Sequence, residues 1–274
     1  MTGDRAMIVD NESGLLLMRN DQLGERQWRS DDCYKVIFSP YGKGIYQTID
    51  GDQSIDRGAF FIFNPKDEHK QLQAYHEKFL IEIQPSFLME AAEKIGIGHQ
   101  APEYARVSYR HPQIQQWMTF VREFIITQES EESHQLFLDH SLTQLAILML
   151  EYGAGSHQTS FPSIHIKGPV NEVMNALKES YREEWTLDQM AEAAGMNKFQ
   201  VAHLFKEETG VSPYSWIQLY RLFRSQHSLL HTAEPILTIA LQHGFTNVSS
   251  YNQLFKKVYR KTPTEFRRLH RFHK

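Results

Sequence analysis

The chain has 274 residues and a formal charge of −4, which suits two domains of ordinary size, each able to bury a core. Its longest wholly apolar stretch, residues 145–150, falls far short of the roughly 20 residues that cross a membrane, and residues 1–10 lack an apolar signal core, so a cytoplasmic protein is expected. The single cysteine, Cys33, excludes an internal disulfide and a multi-cysteine zinc site, and beside the apolar run ending at Phe38 it reads as a buried, inert thiol.

In chain order, residues 14–84 hold short β-branched and aromatic runs separated by Gly, Pro, Asn and Asp. Leu15-Leu16-Leu17, Tyr34-Lys35-Val36-Ile37-Phe38 and Phe60-Phe61-Ile62-Phe63 are the clearest, and they predict a β-sandwich or small barrel. The period changes at Pro112. Ile114, Trp117, Met118, Val121 and Ile125 then follow the spacing of an amphipathic helix. A second helix is predicted over 133–152, with Leu138, Leu142, Leu145 and Met149 in an a/d seam; the seam suits either packing on its own domain or dimerisation. Residues 153–163 collect Gly, Ser, Thr and Pro, so the domains are placed at 1–157 and 167–274 with a linker at 158–166.

Charge divides in the same place. Residues 1–167 carry 15 basic and 23 acidic side chains, and residues 168–274 carry 14 and 10. The halves stand near −8 and +4, and the basic half, whose end includes Lys256, Lys257, Arg260, Lys261, Arg267, Arg268, Arg271 and Lys274, suits a polyanion partner.

The last 90 residues repeat themselves. Asn197, Val201, Leu204, Phe205, Lys206 and Pro213 recur 50 positions later as Asn247, Tyr251, Leu254, Phe255, Lys256 and Pro263. In the first copy Thr186 caps a helix, Gly195 stops it, and Asn197 caps a second. In the second copy Pro235, Gly244 and Asn247 take the corresponding places. Each second helix is expected to bury three apolar residues and turn a polar row outward. A helix of this kind after a tight Gly turn can enter a major groove, although an ordinary helical hairpin with a solvated face has the same pattern. Between the copies, an apolar helical stretch from Pro213 to about His231 would hold the two helices roughly 27 Å apart, near the 34 Å between successive major-groove faces.

The segments TLDQMAEAAGMNKFQVAHLFKEET (186–209) and PILTIALQHGFTNVSSYNQLFKKVYRKTPTEFRR (235–268) resemble the paired motifs of AraC/XylS-type transcription regulators. The resemblance implies base-facing positions at Phe199, Ala202 and His203 and at Val248, Ser249, Asn252 and Gln253; the outward rows themselves add Lys198 to the base-facing set and place Asn197, Lys206, Asn247, Lys256 and Lys257 toward phosphate. His203 departs from the family, which often has arginine there, and implies a weaker, pH-dependent first contact. Residues 56–65, followed by His69, resemble the cupin-like sensing barrel of such regulators.

The expected fold class is therefore α+β in two domains, a cupin-like β-barrel plus helices followed by an all-α domain of two helix-turn-helix units joined by a long helix. Trp28, Tyr34, Tyr46 and His69 are the candidate effector-binding set, for a sugar or related metabolite. No metal is expected, because His69 lacks the His-x-His partner, the nearest histidine being His76. No cofactor is expected either. Implied partners are double-stranded DNA, a small-molecule effector, RNA polymerase and a second copy of the chain. Two rivals stay open at this stage, an enzyme and a protein-interaction module using the same helices.

Overall fold

The computed structural model describes residues 6–19, 24–75, 77–98, 100–128, 130–162, 164 and 168–271. His76, Lys167, Lys274 and part of the predicted linker lie outside these. The chain divides into two compact units, 1–153 and 154–274.

The first unit contains β1 (Ala6–Asn11), β2 (Gly14–Arg19), β3 (Tyr34–Phe38), β4 (Gly44–Thr48), β5 (Gly51–Ile55), β6 (Phe60–Phe63), β7 (His69–Ala74) and β8 (Lys78–Ile83), then α1 (Pro85–Lys94), α2 (Pro112–Thr127) and α3 (Glu131–Tyr152). The strands form a five-stranded sheet, β1-β2-β8-β3-β6, and a three-stranded sheet, β5-β4-β7. The expected closed barrel is corrected: the two sheets do not close on each other. The β6 edge is met by an isolated bridge from Phe60 to Tyr109 and the β7 edge by one from His69 to Arg29, so short loop segments cover edges that a barrel would join.

Strands β3 and β6 are buried along their whole length, because both faces are covered. Ile37, Phe61, Phe63 and Leu80 meet Tyr46 and Ile55 of the second sheet in one core. On the helical side α3 packs on β1, β2, α1 and α2. Ser130 caps α3, accepting from the Ser133 amide, and Glu131 and Glu132 place negative charge at its N-terminus. The seam residues Leu138, Leu142, Leu145 and Met149 are at most 1% exposed. This corrects their reading as a dimer face: they are consumed by the core of their own unit, and α3 turns Leu136 and Ile147 outward instead.

Cys33 is buried, and desolvation, reinforced by Glu82, pushes its thiol up to about 12, so it carries no thiolate at neutral pH. Among the described residues no helix is long and apolar enough to cross a membrane, and no group of three His, Cys, Asp or Glu side chains is placed to hold a metal.

The second unit is helical: α4 (Pro169–Glu179), α5 (Leu187–Ala193), α6 (Lys198–Thr209), α7 (Pro213–His231), α8 (Ile236–Gln242), α9 (Val248–Tyr259) and α10 (Pro263–His270). Phe161, inside the predicted linker, packs on Trp216 and Phe223 at 6.5 and 5.6 Å between ring centroids.

Helix α7 is the shared spine, touching α4, α5 and α6 on one side and α8, α9 and α10 on the other. Trp216 lies edge-on to Phe205 of α6, while Ser225 Oγ and Gln226 Nε2 sit 2.9 and 2.8 Å from the hydroxyls of Tyr251 and Tyr259 of α9. Buried hydroxyls thus find partners on the spine, which fixes α9 against it.

Candidate nucleic-acid interface and small-molecule pocket

The repeat is realised residue by residue. Asn197 Oδ1 accepts from the amides of Phe199 and Gln200 to start α6, and Asn247 Oδ1 accepts from Ser250 to start α9. Gly195 and Gly244 take left-handed conformations, at φ 61° and 85°. At Gly244 a Cβ would also come within 2.8 Å of the Arg182 backbone, so both conformation and space require glycine there. Helix α6 ends at Gly210 and α9 at Arg260, both left-handed, and Ser212 and Thr262 then cap α7 and α10 ahead of a proline.

The inward residues are Val201 and Phe205 on α6 and Tyr251 and Phe255 on α9, all fully buried. Leu204 and Leu254, expected inside, are half-buried at equivalent places. Outward on α6 stand Lys198, Phe199, His203 and Lys206, with Ala202 half-buried between them. Phe199 is 78% exposed. On α9 Ser249, Gln253, Lys256 and Lys257 are exposed, with Val248 and Asn252 half-buried in the same row.

The two faces differ in charge. On α6 Lys198 is 3.5 Å from Asp188, His203 Nε2 is 3.8 Å from Glu207, and Glu207 and Glu208 follow Lys206. Helix α9 carries Lys256 and Lys257 and no acid.

Two arginines that charge counting assigned to general basicity have structural work. Arg221, 5% exposed, donates to the carbonyls of Tyr181 and Glu183 ahead of α5. Arg267 donates to those of Leu229 and Glu234 ahead of α8, at 2.9 and 2.7 Å. Each fork satisfies carbonyls on the approach to a helix-turn-helix unit, the last turn of α7 included.

Residues 190–269, from within α5 through nearly all of α10, match the family model described as a helix-turn-helix domain. YbfI, an uncharacterised HTH-type transcriptional regulator of Bacillus subtilis, is 26% identical over 224 residues, 80% of this chain and 78% of that one. The right origin-binding protein of Escherichia coli is 34% identical over 101 residues, 37% of this chain and 35% of its own length. A solved transcriptional regulator from Chromobacterium violaceum, with an AraC-type DNA-binding domain, is 25% identical and covers 36% of this chain and 89% of its own, at a TM-score of 0.35. Residues 190–269 are a helix-turn-helix domain. The relatives are transcriptional regulators and a DNA-binding protein, not enzymes.

Within this helix-turn-helix domain His243 is held neutral. Burial, with Arg182 and Arg224 nearby, lowers its pKa to about 4, and its Nε2 lies 3.1 Å from Ser228 Oγ. The unfolded chain, titrating near 6.5, binds the extra proton first, so domain stability is complete above pH 6.5 and falls as pH drops toward 4. A loss on the order of 2 kcal/mol across that window is expected after allowance for solvent screening. Denaturant unfolding at a series of pH values measures it, and His243→Gln should flatten the slope.

In the first unit a cavity of about 520 Å³ lies between the sheets, within the size range of small-molecule sites. Cross-strand pairs of β2 and β8, Leu15 with Glu82, Leu17 with Leu80 and Arg19 with Lys78, form one wall. Tyr46, His69 and Gln71 line the other, and the 26–29 segment brings Arg26, Trp28 and Arg29.

Trp28, Tyr46 and His69 are therefore gathered at one site. Tyr34 is not: strand alternation turns it to the opposite face of β3, where its hydroxyl donates to Pro102 O at 2.7 Å and its ring meets Tyr104 edge-on. The four cations of the pocket were missed from sequence. For Arg19 and Lys78 the signal was the period-2 pattern Leu15-x-Leu17-x-Arg19 and Lys78-x-Leu80-x-Glu82, apolar residues ending in charge on one face; Arg26 and Arg29, outside the strands, had none.

Proposed function

We propose that this chain is a sequence-specific transcription regulator that lays α6 and α9 into successive major-groove segments of one DNA duplex, under control of a small molecule bound in the first unit. The observation that carries the reading is the pair of N-capped helices, equivalent by repeat, each with its apolar side on α7 and its polar row exposed. The 19 residues of α7 span about 28 Å, a spacing suited to adjacent groove faces.

Lys198, Phe199, Ala202, His203, Val248, Ser249, Asn252 and Gln253 face base edges in this reading. Lys206, Lys256, Lys257 and the amide groups of Asn197 and Asn247 face phosphate. Because α6 is electrically balanced and α9 is not, α9 supplies most of the phosphate attraction. Selection from a random duplex library with the full chain tests the function. Two enriched blocks about one helical turn apart support it, and unenriched winners at moderate salt remove sequence-specific reading.

A homodimer belongs to the same proposal, now through the outer face of α3, where Leu136 is 62% and Ile147 41% exposed. Leu136→Asp combined with Ile147→Asp should shift the sedimenting mass from dimer to monomer with the fold intact. An unchanged mass would place the interface elsewhere.

A further inference from the structure

The charge of the cavity is not that expected around a neutral sugar. Arg19 and Lys78 are direct cross-strand partners, and like charges opposite each other on a sheet repel. Arg26 and Arg29 add two more cations to the same lining. The carboxylate there, Glu82, is already 3.3 Å from the buried ammonium of Lys35. Asp31 pairs with Lys35 and lies 3.9 Å from Arg29. Burial first, and then the neighbouring Arg29, Lys35, Arg26 and Arg19, pull Lys78 down to about 7.

A second feature points to a ligand. His69 is 2% exposed, and its Nδ1 lies 2.7 Å from the Asp67 carbonyl. A carbonyl only accepts, so Nδ1 carries the hydrogen and Nε2 holds a lone pair. Among the described residues nothing bonds that Nε2, and burial lowers the ring's pKa to about 4. A buried acceptor is left for an O–H or N–H from elsewhere.

We propose that the cavity binds a small hydroxylated anion, a carboxylate or a phosphate ester, whose charge lies among Lys78, Arg26 and Arg29 while a hydroxyl donates to His69 Nε2. This rests on the effector reading above and gives its ligand a chemical class. An anion beside Lys78 favours its charged form, so binding couples ligand charge directly to the stability of the β2–β8 pair.

Thermal unfolding of the full chain tests it with millimolar gluconate, glucose 6-phosphate or glucose, each against potassium chloride of equal ionic strength. At least one anion should raise the midpoint by several degrees and glucose should not; gluconate and the ester separate carboxylate from phosphate recognition. Lys78→Met and the more exposed Arg26→Gln should each abolish the shift, while Lys256→Ala, on the helical unit, should keep it. Lys78→Met should also raise the midpoint in chloride alone.

No anion effect beyond chloride, or a shift that survives both pocket substitutions, overturns the inference. Stabilisation by glucose alone also overturns it and leaves a ligand-responsive regulator standing. An anion shift lost with Lys78 but without change in binding to the selected DNA sustains the anion site and removes its effector role.

Discussion

Trp216→Ala is expected to lower the stability of the helical unit by about 3–5 kcal/mol, and to weaken binding to every DNA sequence with it. Trp216 is 1% exposed, stacks on Tyr220 at 5.1 Å, and meets Phe161 and Phe205 edge-on. Its loss opens a cavity where the spine supports α6, so that helix loses its backing. Tyr214→Ala is the control on the same helix: Tyr214 is 62% exposed, and its change should stay within about 0.5 kcal/mol. Denaturant unfolding followed by circular dichroism reads both. A Trp216→Ala loss below 1 kcal/mol would show that α6 does not depend on this packing.

The second large effect separates reading from gripping. Gln253→Ala should relax preference at one base position at a cost of about 1–3 kcal/mol. Lys256→Ala with Lys257→Ala should weaken all sequences alike and reduce the slope of log K against log salt by about 1.8, two phosphates at roughly 0.9 each. Lys206→Ala should change the slope by no more than half as much, since α6 carries Glu207 and Glu208 beside it. Quantitative binding over a salt series, with selection repeated for Gln253→Ala, measures these outcomes. An unchanged selected motif for Gln253→Ala would remove Gln253 from the base-reading row.

The helical half was legible because its signals are local. A cap such as Asn197 bonds amides two and three residues on, and Gly195 and Gly244 stop helices through their own backbone freedom. Val201, Phe205, Tyr251 and Phe255 repeat at helical spacing, so the face each helix buries follows from order along the chain. Strand alternation likewise belongs to the sequence, and the runs at Tyr34 and Phe60 became β3 and β6.

What sequence leaves open depends on which strand meets which and in what register. Tyr34 and Lys35 are neighbours in the chain, yet one faces Tyr104 and the other Glu82; only the sheet says which side is the cavity. Arg19 and Lys78 lie 59 positions apart and become a facing pair solely through the β2–β8 register. The α3 seam is apolar at heptad spacing whether it meets a second chain or its own sheet, and burial on β1 and β2 decided for the latter. Arg267 reads as one more basic residue, and nothing marks out Arg221, until their carbonyl partners, more than 30 residues away, are seen. Periodicity and capping, which act within a turn or two, were thus determined by the sequence alone, whereas charge pairing, pocket lining and the choice of buried face arise from contacts between distant segments and were decided by the tertiary structure.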